Sequence, residues 1–181
     1  MSTYSKDPIS LFTDYTSALP IAFIFTNIVE AANSGNYLEM SLLIFTMLIA
    51  DASTFTIKKW SKNAPKTLDF LLNRPIGACN TDILSRNGPK PVNTPGFPSG
   101  HMTITSVFAV YRLLRLYRKQ GSIKQILRKN TVEVLLYVAV IVAMGYARWY
   151  KRCHNIYQIV AGFLFGSIFA FVLDKIVKDF L

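Results

Sequence analysis

Histidine and cysteine are the scarce side chains of this 181-residue chain, which contains two of each. The cysteines, Cys79 and Cys153, do not form a disulfide framework and lack the spacing of zinc ligands. Acidic residues number 10 against 20 lysines and arginines. This basic excess favours an anionic partner such as lipid headgroups or phosphates. Nucleic acid is not expected as a partner, because no basic helix or aromatic-basic sheet motif lies outside the segments that flank apolar runs.

Apolar residues, in contrast, are abundant, at 51% of the chain with a mean hydropathy of +0.31. A spanning helix needs about 20 mostly apolar residues. The sequence therefore predicts an all-α fold, a polytopic membrane helix bundle of about five spanning helices that forms a single domain over 1–181. Because Asn27 and Glu30 interrupt the first segment, it either spans or lies shallow. The five apolar segments are 17–35, 37–57, 99–117, 132–147 and 156–176.

A long polar loop separates the second and third of these segments, at about 59–98, and holds six of the eight prolines. Such a loop in a compact protein is usually functional or disordered. We predict a short helix over 64–75, ended at Arg74-Pro75, because the residue before a proline disfavours helix. Lys58, Lys59 and Trp60 stand where the second helix meets the loop and are expected to anchor that helix at the membrane interface.

Both histidines, His101 and His154, lie next to the ends of apolar segments. The third helix begins at His101 and crosses, and the fourth returns to the side from which it came. Counting these crossings predicts that His101 and His154 share one membrane face with the loop at 59–98. The residues expected at this face are Lys66, Arg74, Ser99, Gly100, His101, Arg148 and His154.

These residue types suit phosphoryl transfer. Arginine offers forked donors that match phosphate oxygens. Ser99 and Gly100 precede a helix, whose free N–H groups and dipole favour an anion. Two imidazoles can act as nucleophile and general acid. The cations would neutralise transition-state charge, so neither a metal nor another cofactor is expected.

Three short motifs resemble the signature of the type 2 phosphatidic acid phosphatase family of integral-membrane lipid phosphatases. Pro98-Ser99-Gly100-His101 matches its Pro-Ser-Gly-His tetrad. Arg148, five residues and His154 match its third motif, and Arg74-Pro75 matches the end of its first. The resemblance covers about 60–165. It implies that His154 attacks phosphorus, that His101 protonates the leaving oxygen, and that Lys66, Arg74, Ser99, Gly100 and Arg148 bind the phosphate.

Three positions depart from the family pattern. Gln158 replaces the aspartate that orients the nucleophilic histidine; a glutamine carbonyl can accept the imidazole N–H but supplies no charge. The subgroup resembling dolichyl diphosphate phosphatases also carries glutamine here. Lys66 lies one residue too far upstream, so Lys59 and Lys62 remain candidates for the family's lysine. Ala147 replaces a serine, which removes one hydroxyl contact to phosphate.

The expected function is therefore hydrolysis of a lipid phosphate or diphosphate in the bilayer through a phosphohistidine. Two other functions remain open: a catalytically impaired headgroup binder or membrane scaffold, and a lipid phosphotransferase. A small transporter is less favoured, because the polar residues gather at one face. The five basic residues in 118–130 favour a cytoplasmic position for that loop and a site facing the lumen or exterior. In such a compartment Cys79 and Cys153 could pair. The sequence does not indicate an oligomeric state.

Overall fold

The computed structural model describes residues 8–75, 78–80, 90–91 and 95–181, with only the backbone of residues 66, 79, 80, 90 and 91. Within these ranges the chain is almost entirely helical, as the sequence predicts. The seven α-helices are α1 (Pro8–Ser34), α2 (Tyr37–Ser61), α3 (Asp69–Leu72), α4 (Gly100–Gln120), α5 (Ile123–Lys129), α6 (Thr131–Tyr150) and α7 (Ile156–Phe180). A 3-10 helix covers Lys66–Leu68, and a two-residue antiparallel pair joins β1 (Cys79–Asn80) to β2 (Lys90–Pro91).

Each predicted apolar segment forms the greater part of one long helix. Among the described residues, α1, α2, α6 and α7 are long and apolar enough to cross a membrane. The interrupted first segment thus belongs to a 27-residue helix, which begins at Pro8 instead of near position 17. The short helix predicted over 64–75 is present as the 3-10 turn and α3, and it ends at Leu72.

The fifth long helix, α4, has a more polar composition than the other four because it lies inside the bundle. At 21 residues it is about 31 Å long, matching a hydrocarbon core of about 30 Å. Its apolar side chains Val107 and Phe108 are buried against α1, α2 and α7. The ring of Phe108 stacks on Phe23 of α1 at 4.2 Å between centroids.

Three arginines at the second half of α4 pair with acids of the surrounding helices. Arg112 and Arg115 both bond to Glu30 of α1. Glu39 of α2 accepts from Arg118 at 2.7 Å and lies 3.2 Å from Arg115, while Asp174 of α7 lies 3.3 Å from Arg118. The charges that lower the hydropathy of α4 are thus compensated inside the protein, where an unpaired charge would be costly.

Two glycines of α7 let α4 approach closely. A Cβ atom at Gly162 would lie 2.6 Å from the carbonyl oxygen of Ser99, and one at Gly166 would collide with the carbonyl of Thr103. Small residues four positions apart serve such close helix contacts in membranes. The pair therefore fixes the first turn of α4 against the first turns of α7.

One end of the bundle collects the starts of α1, α4 and α7 and the ends of α2 and α6. Lys151, after α6, pairs with Asp14 of α1, and Arg148 donates to the hydroxyl of Ser17 at 3.4 Å. The paired arginines of α4 lie toward the opposite end. The alternating directions of the long helices therefore place the motif residues at one end of the bundle.

Candidate active site

His154 lies in a tight turn between α6 and α7. The backbone N–H groups of Cys153 and His154 donate to the carbonyl of Arg148 at 3.1 and 3.3 Å. Arg152 takes a left-handed φ of 52°, which reverses the chain. Asn155 then caps α7, since its side chain accepts from the N–H of Gln158 at 2.9 Å. The imidazole is consequently held by backbone on both sides and is buried, with 2% exposure.

Gln158 fixes the orientation of that imidazole. Its Oε1 lies 3.1 Å from Nδ1 of His154, while its Nε2 donates to the carbonyls of Leu71 and Asn73 at 2.9 and 2.7 Å. Two carbonyl acceptors require the amide nitrogen on their side, so the oxygen must face the histidine. His154 must then carry its proton on Nδ1, which leaves the lone pair of Nε2 available.

The segment around α3 is fastened to the same turn. Besides the Gln158 bonds, the side chain of Asn155 donates to the carbonyl of Phe70 at 2.8 Å. Arg74, just after this segment, donates from Nη1 to the carbonyl of Cys153 at 3.2 Å. Its Nε is buried and has no hydrogen-bond partner among the described residues. These contacts bring Arg74 to the turn that carries His154, through a bond to Cys153 that joins residues 79 positions apart.

The first turn of α4 completes the arrangement. The N–H of Ser99 donates to the carbonyl of Gln158 at 3.0 Å, which ties the start of α4 to α7. Ser99 is fully buried, and its Oγ has no partner within the described parts of the chain. At Gly100, a Cβ would lie 3.3 Å from Asp51 Oδ1 and Thr54 Oγ1 and 3.6 Å from Lys58 Nζ. The lysine ammonium thus reaches the N-terminus of α4.

Positive charge dominates the electrostatics of the site. Arg148 is buried with 3% exposure, and Arg148, Arg74 and Lys58 act on both imidazoles. Burial first, and then the charges of Arg148, Arg74 and Lys58, hold the pKa of His154 well below its usual range. Burial and Arg148 likewise lower the pKa of Arg74. His154 is therefore neutral at pH 7, as a nucleophile must be.

The geometry brings together all but one of the residues singled out from the sequence. His101 is half-buried in the first turn of α4 within the field of the same cations. The exception is Lys66, whose backbone is in the 3-10 helix and whose side chain is outside the described part of the chain. The side chain of Cys79 is also outside it, so its pairing with Cys153 stays a prediction. Ala147 is fully buried.

Lys58 is the residue that the sequence interpretation missed. It was expected to anchor α2 at the interface, whereas its ammonium lies at Gly100. Asp51, Thr54 and Lys58 stand at positions i, i+3 and i+7, which form one stripe along a helix. An aspartate within an apolar span is unusual. That pattern was the available signal that this face of α2 meets polar groups instead of lipid.

The comparisons with known proteins concern the family and the fold of the chain. The PAP2 superfamily pattern matches residues 39–180, which include every motif residue discussed above. The fold is similar to the crystal structure of a transmembrane PAP2-type phosphatidylglycerolphosphate phosphatase from Bacillus subtilis, with a TM-score of 0.66 and 15% identity over 98% of this chain and 81% of that one. No curated protein matches the chain. Since the superfamily pattern covers most of its length, this integral membrane protein belongs to the PAP2 superfamily.

Proposed function

We propose that the protein is a metal-independent lipid phosphatase that hydrolyses a lipid phosphate or diphosphate monoester through a phosphohistidine at His154. The observation that carries this proposal is the bond between His154 Nδ1 and Gln158 Oε1 at 3.1 Å, which directs Nε2 as a free nucleophile. Cations surround this imidazole, and the substrate's phosphate would compensate them. Membership of the PAP2 superfamily supports the same reaction class.

Phosphate binding would use four kinds of donor: guanidinium, hydroxyl, backbone N–H and ammonium groups. Arg74 and Arg148 supply guanidinium groups, and Ser99 supplies a buried hydroxyl with no partner among the described residues. The N–H groups at Gly100 add the positive end of the α4 dipole. Lys58, whose ammonium lies at this helix end, takes the role expected of Lys66. Ser99, Gly100 and Arg148 are buried, and Arg74 and Lys58 are half-buried. Donors positioned before substrate arrives favour stabilisation of the transition-state charge.

In the first half-reaction, the Nε2 lone pair of His154 attacks phosphorus while the bond from phosphorus to the leaving oxygen breaks. His101, protonated as the anionic substrate enters the site, gives its proton to that oxygen. The products are the dephosphorylated lipid and phosphohistidine. Gln158 keeps the Nδ1 proton in place, so the imidazole attacks through the correct nitrogen.

In the second half-reaction, neutral His101 takes a proton from water, and the resulting hydroxide oxygen bonds to phosphorus. The phosphorus–Nε2 bond breaks, releasing inorganic phosphate and neutral His154. An alcohol in place of water would give the phosphotransferase reaction, and the sequence holds no feature that selects it. Hydrolysis is therefore our proposal.

Three further points of the proposal concern the substrate, the subgroup and the orientation. The substrate tail would enter laterally, because an acyl or isoprenoid chain stays in hydrocarbon. Gln158 supports the dolichyl diphosphate phosphatase-like subgroup.

The basic residues of α5 and its flanks support a cytoplasmic position for residues 118–130, with the site facing lumen or exterior. Labelling of Lys62→Cys and Lys124→Cys from the cytoplasmic side of sealed vesicles tests the last point: only Lys124→Cys should react, and the reverse result would invert the orientation.

Trapping the phosphoenzyme tests the mechanism. Purified protein in lipid nanodiscs is mixed with a 32P-labelled lipid phosphate in chelator and quenched in alkali, which preserves phosphohistidine. We expect labelled phosphate on the native protein and none on His154→Ala. With a substrate whose activated leaving group needs no proton, labelled phosphate should accumulate on His101→Ala. Binding of substrate by the native protein without label or phosphate release would support the impaired-binder alternative and overturn the proposal.

A further inference from the structure

A cavity of about 450 Å³ adjoins the candidate active site on the α2 side. Its lining residues are Phe55, Lys58, Lys59, Lys62, Arg74 and Pro95. Four of these six are cations, and none of the described residues lining it is an acid. Asp51 lies close enough to act on Lys58, but Lys59 and Lys62 have no ion pair among the described residues. Such a concentration of positive charge favours an anionic occupant.

The cavity shares two residues with the phosphate-binding set. Lys58 Nζ lies at Gly100, and Arg74 bonds to the carbonyl of Cys153 next to His154. An anion in the cavity would therefore sit directly beside the scissile phosphate. Arg74, Arg148, Ser99 and the α4 N-terminus already offer donors for one phosphate, which leaves Lys59 and Lys62 in excess of what a monophosphate needs.

The position of the cavity also fits the side of a leaving group. The first turn of α4 lies between two helices: Gly162 and Gln158 of α7 contact Ser99 on one side, and Asp51, Thr54 and Lys58 of α2 meet Gly100 on the other. His154 belongs to the α7 side, and the cavity belongs to the α2 side. In-line displacement at phosphorus requires the leaving oxygen opposite the nucleophile.

The two ends of the cavity differ in polarity along the direction of the bilayer. Phe55 precedes Lys58 by three residues, about 4.5 Å of helical rise toward the middle of the membrane. Its side chain is 72% exposed on the outside of α2. A lipid whose charged head lies among the lysines would thus pass its chain along Phe55 into hydrocarbon.

Building on the proposed phosphatase function, we propose that this cavity binds the inner phosphate of a lipid diphosphate. The terminal phosphate is then transferred to His154, and the lipid monophosphate leaves from Lys58, Lys59 and Lys62. Because the cavity directly adjoins the scissile position, it suits a second phosphate joined by one bridging oxygen better than one separated by a glycerol spacer. Substrates with two adjacent phosphates are therefore preferred over monophosphates.

Paired substrates with identical tails test this inference. We measure kcat/KM for an isoprenoid diphosphate and the corresponding isoprenoid monophosphate, so that partition into the membrane cancels in their ratio. We expect the native protein to have the higher kcat/KM with the diphosphate. In the double variant Lys59→Gln/Lys62→Gln, the ratio of the diphosphate kcat/KM to the monophosphate kcat/KM should fall about tenfold, because charge-assisted hydrogen bonds to the inner phosphate are removed. The matched control is Lys124→Gln/Lys129→Gln, which removes the same charge from the opposite end and should keep the native ratio.

Three results would overturn the inference. The first is a native preference for the monophosphate, and the second is an unchanged ratio in Lys59→Gln/Lys62→Gln. The third is a selective loss of phosphatidylglycerolphosphate hydrolysis in that variant, which would mean that the cavity binds a phosphate separated from the scissile phosphate by a glycerol spacer. Failure of the phosphatase proposal itself looks different, because the native protein would then release no phosphate from any of these lipids.

Discussion

At the scale of single residues, the amide of Gln158 orients the imidazole of His154, whose Nε2 we propose as the nucleophile. The amide oxygen faces Nδ1 of His154, and the amide nitrogen donates to the carbonyls of Leu71 and Asn73. A carboxylate has no donor for those carbonyls. Gln158 therefore does what the family's aspartate could not, since it joins His154, the proposed nucleophile, to the segment that carries Arg74.

Replacing Gln158 by glutamate tests whether the amide or a negative charge serves the site better. Gln158→Glu supplies the charge but sets a carboxylate oxygen against two carbonyl oxygens, at a cost of roughly 1–3 kcal/mol for a buried unsatisfied acceptor. We expect kcat/KM to fall by about tenfold or more, and the thermal unfolding midpoint to fall as well. Gln125→Glu, the same change on the exposed surface of α5, is the control. An equal or faster Gln158→Glu enzyme would show that charge alone is limiting.

The pKa of His154 gives a second test at this scale. Burial and Arg148, Arg74 and Lys58 lower this pKa, so His154 stays neutral well below its ordinary pKa of about 6.5. Activity that needs neutral His154 is present above the lowered pKa and is lost as pH falls through it. In Arg148→Met one lowering charge is gone, so the acid limb of kcat/KM should move to higher pH.

Arg148→Lys is the matched control for that shift. It keeps the charge and changes the guanidinium fork, so its rate should fall while its acid limb stays near the native position. Each variant is compared on one substrate, which makes ionisation of the substrate cancel. An acid limb that does not move in Arg148→Met would remove His154 as the group that titrates.

The sequence indicated the imidazoles and arginines as candidate site residues because short motifs specify residue types at fixed spacing, and their roles stay a prediction. It did not predict Lys58, because the face of α2 that meets α4 depends on packing among helices far apart in the chain. The sequence could not indicate the backbone hydrogen-bond partners of Gln158 for a similar reason. Its role toward His154 follows from a four-residue spacing, whereas Leu71 and Asn73 lie more than 80 residues away.

At the scale of helices, the two glycines of α7 determine where the first turn of α4, the proposed phosphate-binding turn, lies. Gly162→Ala tests this contact, because its Cβ would stand 2.6 Å from the carbonyl of Ser99, too close without displacing α4. We expect kcat/KM to fall by about tenfold or more and the unfolding midpoint to drop, since overpacking costs roughly 1–3 kcal/mol.

Gly145→Ala is the control for the glycine contact. Its Cβ would meet Ile159 at 3.5 Å, an ordinary contact, so activity and midpoint should remain native. Native activity in Gly162→Ala would mean that the position of Ser99 tolerates displacement and that the close helix contact does not set the site.

The sequence predicted where the long helices lie but not which of them is interior. Hydropathy alone does not indicate α4 as a membrane-spanning helix, because it carries Arg112, Arg115 and Arg118. Their compensation by Glu30, Glu39 and Asp174 comes from three different helices. A pattern along one segment cannot show such pairing, so the buried position of α4 could not be predicted from it.

At the scale of the whole molecule, the bundle separates two groups of charges. Among the described residues, one end holds Lys58, Arg74 and Arg148 close enough to act on two imidazoles, and the other holds arginines paired with acids. This separation follows from alternating crossings, which is why the shared face of His101 and His154 could be predicted before any packing was known. Most of the loop at 76–94 lies outside the described residues, so its predicted contribution to the site stays a prediction.

A structure of the protein with orthovanadate tests the central claim most directly, because vanadate mimics phosphorus during transfer. The account predicts vanadium bonded to Nε2 of His154, with Arg74, Arg148 and Ser99 on its equatorial oxygens. The axial oxygen opposite His154 should lie within hydrogen-bond distance of His101. Vanadate bound away from His154, or rings of His101 and His154 too far apart to contact one vanadate, would contradict it.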